Sequence, residues 1–143
     1  MSRAATMLRS HPRPASVPVD AVAACIDACL DAAQACTACA DACLAEPQVA
    51  ALVECVQRAL DCADVAEVSA RLLTRQVGAG LAVVRKQLEA CAAACDACAD
   101  VCERHGHLAH CRECADACRT CEEACLRVLQ DPPPPRGYGL DGM

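Results

Sequence analysis

One stretch of the sequence, from Cys91 to Cys125, places nine cysteines at regular short intervals. It reads C-x3-C-x2-C-x3-C, then eight other residues, then C-x2-C-x3-C-x2-C-x3-C. Steps of three and four residues bring side chains onto one face of an α-helix, so each half of the stretch predicts a helix with a stripe of thiols. Gly106, between His105 and His107, marks the end of one helix and the start of the next. The pattern therefore predicts two antiparallel helices that face each other with cysteine where a helix bundle normally has leucine.

The amino-acid composition favours a single all-α domain. The 143 residues fall within the usual size of one domain, and the chain has no Trp, no Phe and one Tyr. A core must then be built from Ala, Leu, Val and Cys, and abundant Ala favours helices. A net charge of −6 argues against a nucleic-acid partner and against an anionic membrane surface.

The sixteen cysteines would suggest a disulfide scaffold in a secreted chain, but two features favour free thiols. The first 18 residues have no apolar segment typical of a signal peptide, and Pro12, Pro14 and Pro18 interrupt them. Cysteines three or four apart on a helix also point outward side by side, which is a poor geometry for a disulfide. We therefore expect free thiols in a reducing cytoplasm, and we expect no apolar run of membrane-spanning length.

Proline, glycine and the apolar pattern predict the helix boundaries. We expect a flexible arm over residues 1–18, with at most a short helix, and a Pro/Gly-rich tail over residues 131–143. A residue at or near Asp20 can cap the first helix, Pro47 stops it, and Gly78 and Gly80 end the second. Residues 19–130 are predicted to form four helices, at about residues 19–46, 48–77, 81–105 and 107–130.

Four helices with short connections fit an antiparallel up-down-up-down bundle with a cysteine-lined core. This topology brings together the end of the first helix, the start of the second, the end of the third and the start of the fourth. Counted inward from that shared end, cysteines of different helices fall at matching depths, and the outermost layer holds Cys43, Cys102 and Cys111. The match comes from separate segments, so it supports both the topology and a single thiol-lined interior.

So many inward-facing thiols indicate a metal-binding core. One or two buried cysteines can replace Ala or Leu as small apolar residues, but sixteen cannot be explained in that way. Thiolates select soft ions. Four Zn(Cys)4 units would bury about eight negative charges, whereas one Cu(I) per thiolate leaves the core neutral. Fe–S clusters usually need thiolates that converge from loops. The candidate ligands for multiple Cu(I) ions are Cys25, Cys29, Cys36, Cys39, Cys43, Cys55, Cys62, Cys91, Cys95, Cys98, Cys102, Cys111, Cys114, Cys118, Cys121 and Cys125.

These features resemble the four-helix-bundle copper storage proteins, in particular their cytosolic, cysteine-rich branch. The resemblance rests on the repeated C-x3-C and C-x2-C steps, on a second helix with only Cys55 and Cys62, and on the histidines from His105 to His110. It covers residues 19–129. It implies storage of multiple Cu(I) ions, a role in copper homeostasis and detoxification, and a homotetramer of bundles. Exported members of the family carry a secretion signal, which we do not expect here.

Three histidines lie at the shared end of the predicted bundle. His105 continues the stripe of the third helix and His107 that of the fourth, so both are candidate Cu(I) ligands, although exposed loop histidines are the commoner case. His110 lies off the strict stripe but one turn before Cys114, and it is the third candidate. The opposite end is predicted to be closed by Leu72, Val84, Leu88 and Val128.

The sequence has no Ser/His/Asp pattern and no Gly-rich phosphate loop, so we expect storage without enzyme activity. The expected partners are further copies of the chain and a copper chaperone or small-molecule copper carrier, with no nucleic acid and no membrane. Glu46, Glu54 and Asp61 are interpreted as solvated carboxylates. Two other functions stay open: a thiol redox buffer or sensor that cycles disulfides, and a protein that sequesters Zn(II) or Cd(II).

Overall fold

The computed structural model describes residues 2–13, 18–75 and 81–130, and these residues form helices and turns with no strand among them. The all-helical class predicted from composition and cysteine spacing is confirmed. The tail over residues 131–143 and the predicted glycine stop of the second helix lie outside the described residues. The elements are α1 (Arg3–Arg9), α2 (Val19–Leu44), a 3₁₀ turn (Val49–Leu52), α3 (Val53–Thr74), α4 (Leu81–Glu103) and α5 (Ala109–Gln130).

The ends of α2 differ in detail from the predicted ones. The helix ends at Leu44 because the chain already turns at Ala45, ahead of Pro47. The predicted cap was Asp20 or a residue near it, and the N-cap is a near neighbour and not Asp20 itself. Pro18 occupies the N-cap position and makes no side-chain hydrogen bond, while Asp20 lies in the first turn, where the helix dipole favours a carboxylate.

A short helix, α1, lies within the predicted N-terminal arm. Ser2 caps it by accepting a hydrogen bond of 3.2 Å from the backbone N–H of Ala5. Ala5 and Leu8 are buried in the core cluster, and Arg9 forms an ion pair with Asp20 at the start of α2. Seven residues are too few for a stable isolated helix, so the contacts with α2 hold α1 in place.

Each of the four long helices packs mainly against two of the others. α2 contacts α3 and α5, and α4 contacts the same two helices. Cysteine and alanine dominate the buried faces, and Ala32, Ala59 and Ala99 are completely buried. Leu52 and Leu88, each 1% exposed, are the largest side chains among the described residues with almost no exposed surface. Such small side chains leave room for the thiols of different helices to come into contact.

α2 is long and apolar enough, by length and composition, to cross a membrane. The prediction that no apolar run approaches that length is therefore wrong. The apolar character of α2 comes mainly from Ala and Cys, and its cysteines are all buried where it packs against α3 and α5. The core helix of a bundle has this same composition, so the length of α2 does not by itself indicate a membrane protein.

Candidate metal centre

All sixteen cysteines are free thiols, and none exposes more than 1% of its surface. α2 supplies five of them, α3 two, α4 four and α5 five. The steps of three and four residues keep the thiols of each helix on the face that is turned toward the other helices. The thiols of four helices therefore share one interior.

The middle of this interior holds four thiols within mutual reach, which we name the middle group. Cys36 Sγ of α2 lies 3.4 Å from Cys118 Sγ, 3.7 Å from Cys114 Sγ and 3.9 Å from Cys98 Sγ. All four sulfur atoms lie within 4.8 Å of one another. Metal–thiolate bonds of about 2.3 Å place two sulfur ligands of one ion about 3.8 Å apart, so this spacing suits a shared soft metal ion.

A second set of thiols, the inner group, lies toward the start of α2. It consists of Cys29, Cys91, Cys121 and Cys125, whose sulfur atoms again lie within 4.8 Å of one another. Cys121 Sγ is 3.7 Å from Cys29 Sγ and 4.0 Å from Cys91 Sγ. Cys25 extends the group, with its sulfur 3.8 Å from Cys125 Sγ.

A third set, the outer group, lies where α2 ends and α5 begins. It consists of Cys39, Cys43, Cys55 and Cys111. Cys39 Sγ is 3.9 Å from Cys111 Sγ, and Cys43 Sγ is 3.9 Å from Cys55 Sγ. These four thiols come from three helices, so the outer group forms only when α2, α3 and α5 are packed together.

Further thiols connect the three groups. Cys39 of the outer group and Cys114 of the middle group lie with Cys102 in a further set of three sulfur atoms within reach of one ion. On the other side, Cys62 joins Cys95 to the middle group through sulfur–sulfur distances of 3.6 and 3.9 Å, and Cys95 interacts in turn with Cys121 and Cys91 of the inner group. A thiolate with neighbours on both sides can bridge two soft ions, so the interior is better described as one continuous donor column than as separate sites.

Hydrogen bonds among the thiols shift their pKa values in opposite directions. A hydrogen bond with Cys102 is the main cause that lowers the pKa of Cys39 to about 6. The pKa of Cys102 itself is raised, first through its hydrogen bond with Cys114. Burial raises the pKa of Cys43 to about 12. The thiols of the metal-free interior therefore differ in how readily they lose a proton.

His110, at the start of α5, is the histidine that the structure brings among the thiols. Its Nδ1 lies 3.4 Å from Cys39 Sγ, 3.6 Å from Cys111 Sγ and 3.9 Å from Cys43 Sγ. Burial lowers the pKa of His110, but the interactions with Cys39 and Glu46 outweigh burial, and the pKa is raised overall. The imidazole is therefore placed to add a nitrogen donor to the outer group.

His105 and His107, which lie on the extrapolated stripes, occupy the turn between α4 and α5. Their ring centroids are 6.2 Å apart, and the imidazole–thiol contacts found in the described residues belong to His110. The reason is that α4 ends at Glu103, so the helical spacing no longer applies at His105. The sequence feature that points to His110 as the histidine near the thiols is its position in the first turn of α5, next to Cys111.

Glu46 differs from the interpretation of a solvated carboxylate. Its side chain is only 26% exposed, and its Oε1 lies 3.6 Å from His110 Nε2. Glu54 and Asp61 are exposed and pair with arginines on the surface, as expected of solvated carboxylates. Among the three acidic residues, Glu46 is thus the one that faces a candidate metal ligand.

The end of the interior away from His110 is lined mainly by apolar side chains. Leu88 is buried, and Val84 and Val128 pack against the core. The expectation for Leu72 needs correction, because Leu73 is the buried residue of that pair. The two ends of the donor column thus differ in polarity.

The part of the chain that contains the cysteines is similar to known proteins. A protein-family model described as copper storage protein matches residues 19–130. The copper storage protein Ccsp from Streptomyces lividans, loaded with 10 copper equivalents, is 50% identical, with a TM-score of 0.86 over 88% of this chain and 97% of that chain. A five-copper structure described as a cytosolic copper storage protein from Streptomyces lividans is 52% identical, with a TM-score of 0.78 over 80% of this chain and 96% of that chain.

Two further similarities are more distant. The Cu(I)-bound copper storage protein BsCsp3 is 32% identical, with a TM-score of 0.67 over 74% of this chain and 95% of that chain. The cysteine-rich protein YhjQ of Bacillus subtilis is 34% identical over 91 residues, which are 64% of this chain and 80% of that protein. The likeness extends over most of the chain.

Proposed function

Because the chain belongs to the copper storage protein family, we propose that it stores several Cu(I) ions on thiolates inside a four-helix bundle. The observation that carries this proposal is the packing of sixteen free, buried thiols into connected groups of three and four. Thiolates select soft metal ions, and a thiol that belongs to two groups can bridge two ions. The resulting role is storage and sequestration of copper, and hence copper homeostasis and detoxification.

Charge balance favours Cu(I) over Zn(II) in this interior. Ser69 is the polar residue among the buried side chains that the structure describes, and it carries no charge that could offset a thiolate. A Zn(Cys)4 unit has two net negative charges, and several such units would be costly in an interior of Ala and Cys. One Cu(I) per thiolate leaves the column neutral, so the number of ions can approach the number of cysteines.

We propose that α2, α3, α4 and α5 run antiparallel in an up-down-up-down bundle with a cysteine-lined core. The order of helix contacts supports this topology, since each long helix packs on its neighbours in the sequence and α2 also packs on α5. The thiol pairs agree: Cys25 at the start of α2 meets Cys125 late in α5, and Cys43 near the end of α2 meets Cys55 early in α3.

All sixteen cysteines are proposed as Cu(I) ligands, with His110 as an additional donor to the outer group. His105 and His107 are proposed as weaker, transient ligands at the rim, where copper is received from a copper chaperone or a small-molecule carrier. Transfer then proceeds by exchange of one ligand at a time, because each new thiolate lies within about 4 Å of the previous one. No substrate is transformed in this role, so we propose that the chain is not an enzyme.

The proposed setting is the cytoplasm, where thiols stay reduced. The similar Streptomyces lividans protein is described as cytosolic, which supports this setting. We also propose a homotetramer, from the family resemblance. Leu30, Leu60 and Leu126 are exposed on the outer faces of their helices and offer apolar surface for subunit contacts.

The test of copper storage is an anaerobic competition of reduced protein with a strong Cu(I) chelator, run with and without excess Zn(II). We expect the protein to retain many Cu(I) ions per chain and Zn(II) to displace none of them. Retention of about four Zn(II) per chain in the presence of Cu(I) would favour the Zn(II)/Cd(II) function instead. A parallel count of free thiols after mild oxidation tests the redox function, for which discrete disulfides should form quickly.

A further inference from the structure

Glu46 and His110 meet at the edge of the outer group. Glu46 lies just beyond the end of α2, where its backbone N–H bonds to Cys43 O at 3.2 Å. Its carboxylate Oε1 is 3.6 Å from His110 Nε2, and the two side chains are 26% and 24% exposed. The other ring nitrogen, Nδ1, faces Cys39 Sγ at 3.4 Å. One imidazole therefore separates a carboxylate from a cluster of thiols.

We infer that Glu46 is a positioning residue, which holds His110 in the tautomer with the proton on Nε2 so that Nδ1 presents its lone pair to a Cu(I) ion in the outer group. The inference rests on the proposed function and extends it to a residue outside the thiol set. A carboxylate accepts hydrogen bonds, and a neutral imidazole has one N–H and one lone pair. The opposite tautomer would direct a nitrogen lone pair at the carboxylate oxygen and a proton at the metal.

The burial of Nε2 strengthens this assignment. Nε2 of His110 is buried and has no hydrogen-bond partner among the described residues. Glu46 Oε1 is an acceptor that a side-chain movement of less than 1 Å brings from 3.6 Å to hydrogen-bond distance. Histidine ligands of metal ions commonly donate their second N–H to a carboxylate, which fixes the ring and increases the basicity of the ligating nitrogen.

The tautomer is measured directly by ¹⁵N NMR of the reduced, copper-free protein at about pH 8, where an ordinary imidazole is neutral. The signals of His110 are identified by their absence in His110→Ala. We expect a protonated Nε2 and an unprotonated Nδ1 in the wild type and in Glu46→Gln, whose amide oxygen also accepts. Glu46→Ala should give a mixture of the two tautomers. A wild-type Nδ1–H tautomer, a doubly protonated ring, or identical spectra for Glu46→Ala and wild type would each overturn the inference.

A double-mutant cycle tests whether Glu46 acts through His110. In the copper-loaded protein, Glu46→Ala and His110→Ala should each make the first ion leave to a chelator about tenfold faster. The double variant should be no faster than His110→Ala alone, and additive effects would contradict the inference. Glu54→Ala is the matched control, since Glu54, in the first turn of α3, is an exposed carboxylate that pairs with Arg104 and not with a histidine, and its rate should equal that of the wild type.

The two readouts separate this inference from the proposed function. If the wild type retains no copper, copper storage fails, while the NMR result on copper-free protein still decides the role of Glu46. If copper is retained at full capacity in every variant but the double-mutant cycle is additive, storage stands and the positioning role fails.

Discussion

Gln87 of α4 donates a hydrogen bond of 3.0 Å from Nε2 to Ser69 Oγ of α3, at the level where the thiol column ends. Ser69 follows Cys62 by the same seven residues that separate Cys62 from Cys55. A third thiol of α3 would occupy this position, and the chain has a completely buried serine there instead. The Gln87 amide also donates to Val65 O at 3.3 Å, so a polar bridge between α3 and α4 lies where the thiol stripe of α3 would continue.

Ser69→Ala should lower the free energy of unfolding of the copper-free protein by about 1–2 kcal/mol, because the Gln87 amide loses an acceptor in a partly buried place. The measurement is urea denaturation under reducing conditions. Thr37→Ala is the matched control. Like Ser69, Thr37 donates a hydrogen bond of 2.8 Å to the carbonyl four residues back, but Thr37 is exposed and its change should cost little. Equal stability of the two variants would contradict the role of the bridge.

The copper-free protein should be helical. Protonated thiols bury like small apolar groups, and the Ala, Leu and Val positions already form the helix contacts. Far-UV circular dichroism of reduced protein, before and after copper is added, checks this, and the helical signal should change little. A chain that is disordered until copper binds would show instead that the metal drives folding.

Cu(I) binding should release fewer than one proton per ion at pH 7, and more as the pH decreases toward 5. A hydrogen bond with Cys125 is the main cause that lowers the pKa of Cys25 to about 5, and a hydrogen bond with Cys102 is the main cause that lowers the pKa of Cys39 to about 6. These two groups are therefore already thiolates at pH 7. Burial raises the pKa of Cys43 to about 12, and such thiols must lose a proton to bind. Affinity should therefore fall as the pH is lowered.

The check is a pH-stat titration with an aprotic Cu(I) complex under anaerobic conditions. Release of one proton for every ion, unchanged between pH 5 and 8, would mean that all thiols are protonated in the free protein. That result would contradict the lowered pKa values of Cys25 and Cys39.

Copper should enter at the histidine end of the column. His105→Ala/His107→Ala should slow both loading and removal of Cu(I) and leave the total copper nearly unchanged, because neutral imidazoles bind Cu(I) more weakly than thiolates do. Stopped-flow transfer to and from a chelator measures the rates. Leu88→Ala, which opens the apolar end, is the comparison and should load no faster than the wild type. Unaltered rates in the double histidine variant, or faster loading in Leu88→Ala, would contradict this route.

The sequence was sufficient to predict which cysteines share an interior, since the helical period decides the face on which each thiol lies. It was not sufficient for the surroundings of the thiols. The imidazole of His110 lies next to the thiol of Cys39 because α2 and α5 pack together. The helical period of one segment cannot predict a distance between side chains of two different helices. His105 was placed on the thiol stripe because the helical period was extended past Glu103, where α4 ends.

Other differences have the same physical origin. The burial of Leu8 in α1 depends on a surface of α2 that exists only after folding, and seven residues carry too little amphipathic pattern to predict it. The hydrogen bonds of Gln87 also depend on the packing of α4 on α3. From the sequence alone, a polar residue on a helix is expected to be solvated. Local spacing predicted which thiols lie in the interior, whereas contacts between helices determine how these thiols are oriented and protonated.

The most direct measurement of the central claim is the number of Cu(I) ions bound per chain at saturation. Reduced protein is titrated anaerobically with Cu(I), separated from unbound copper, and assayed for copper and protein in the same fractions. Bridging thiolates and charge neutrality predict about one Cu(I) per core cysteine, or about sixteen per chain. Saturation at about four or five ions per chain would contradict this account and would indicate isolated tetrahedral sites.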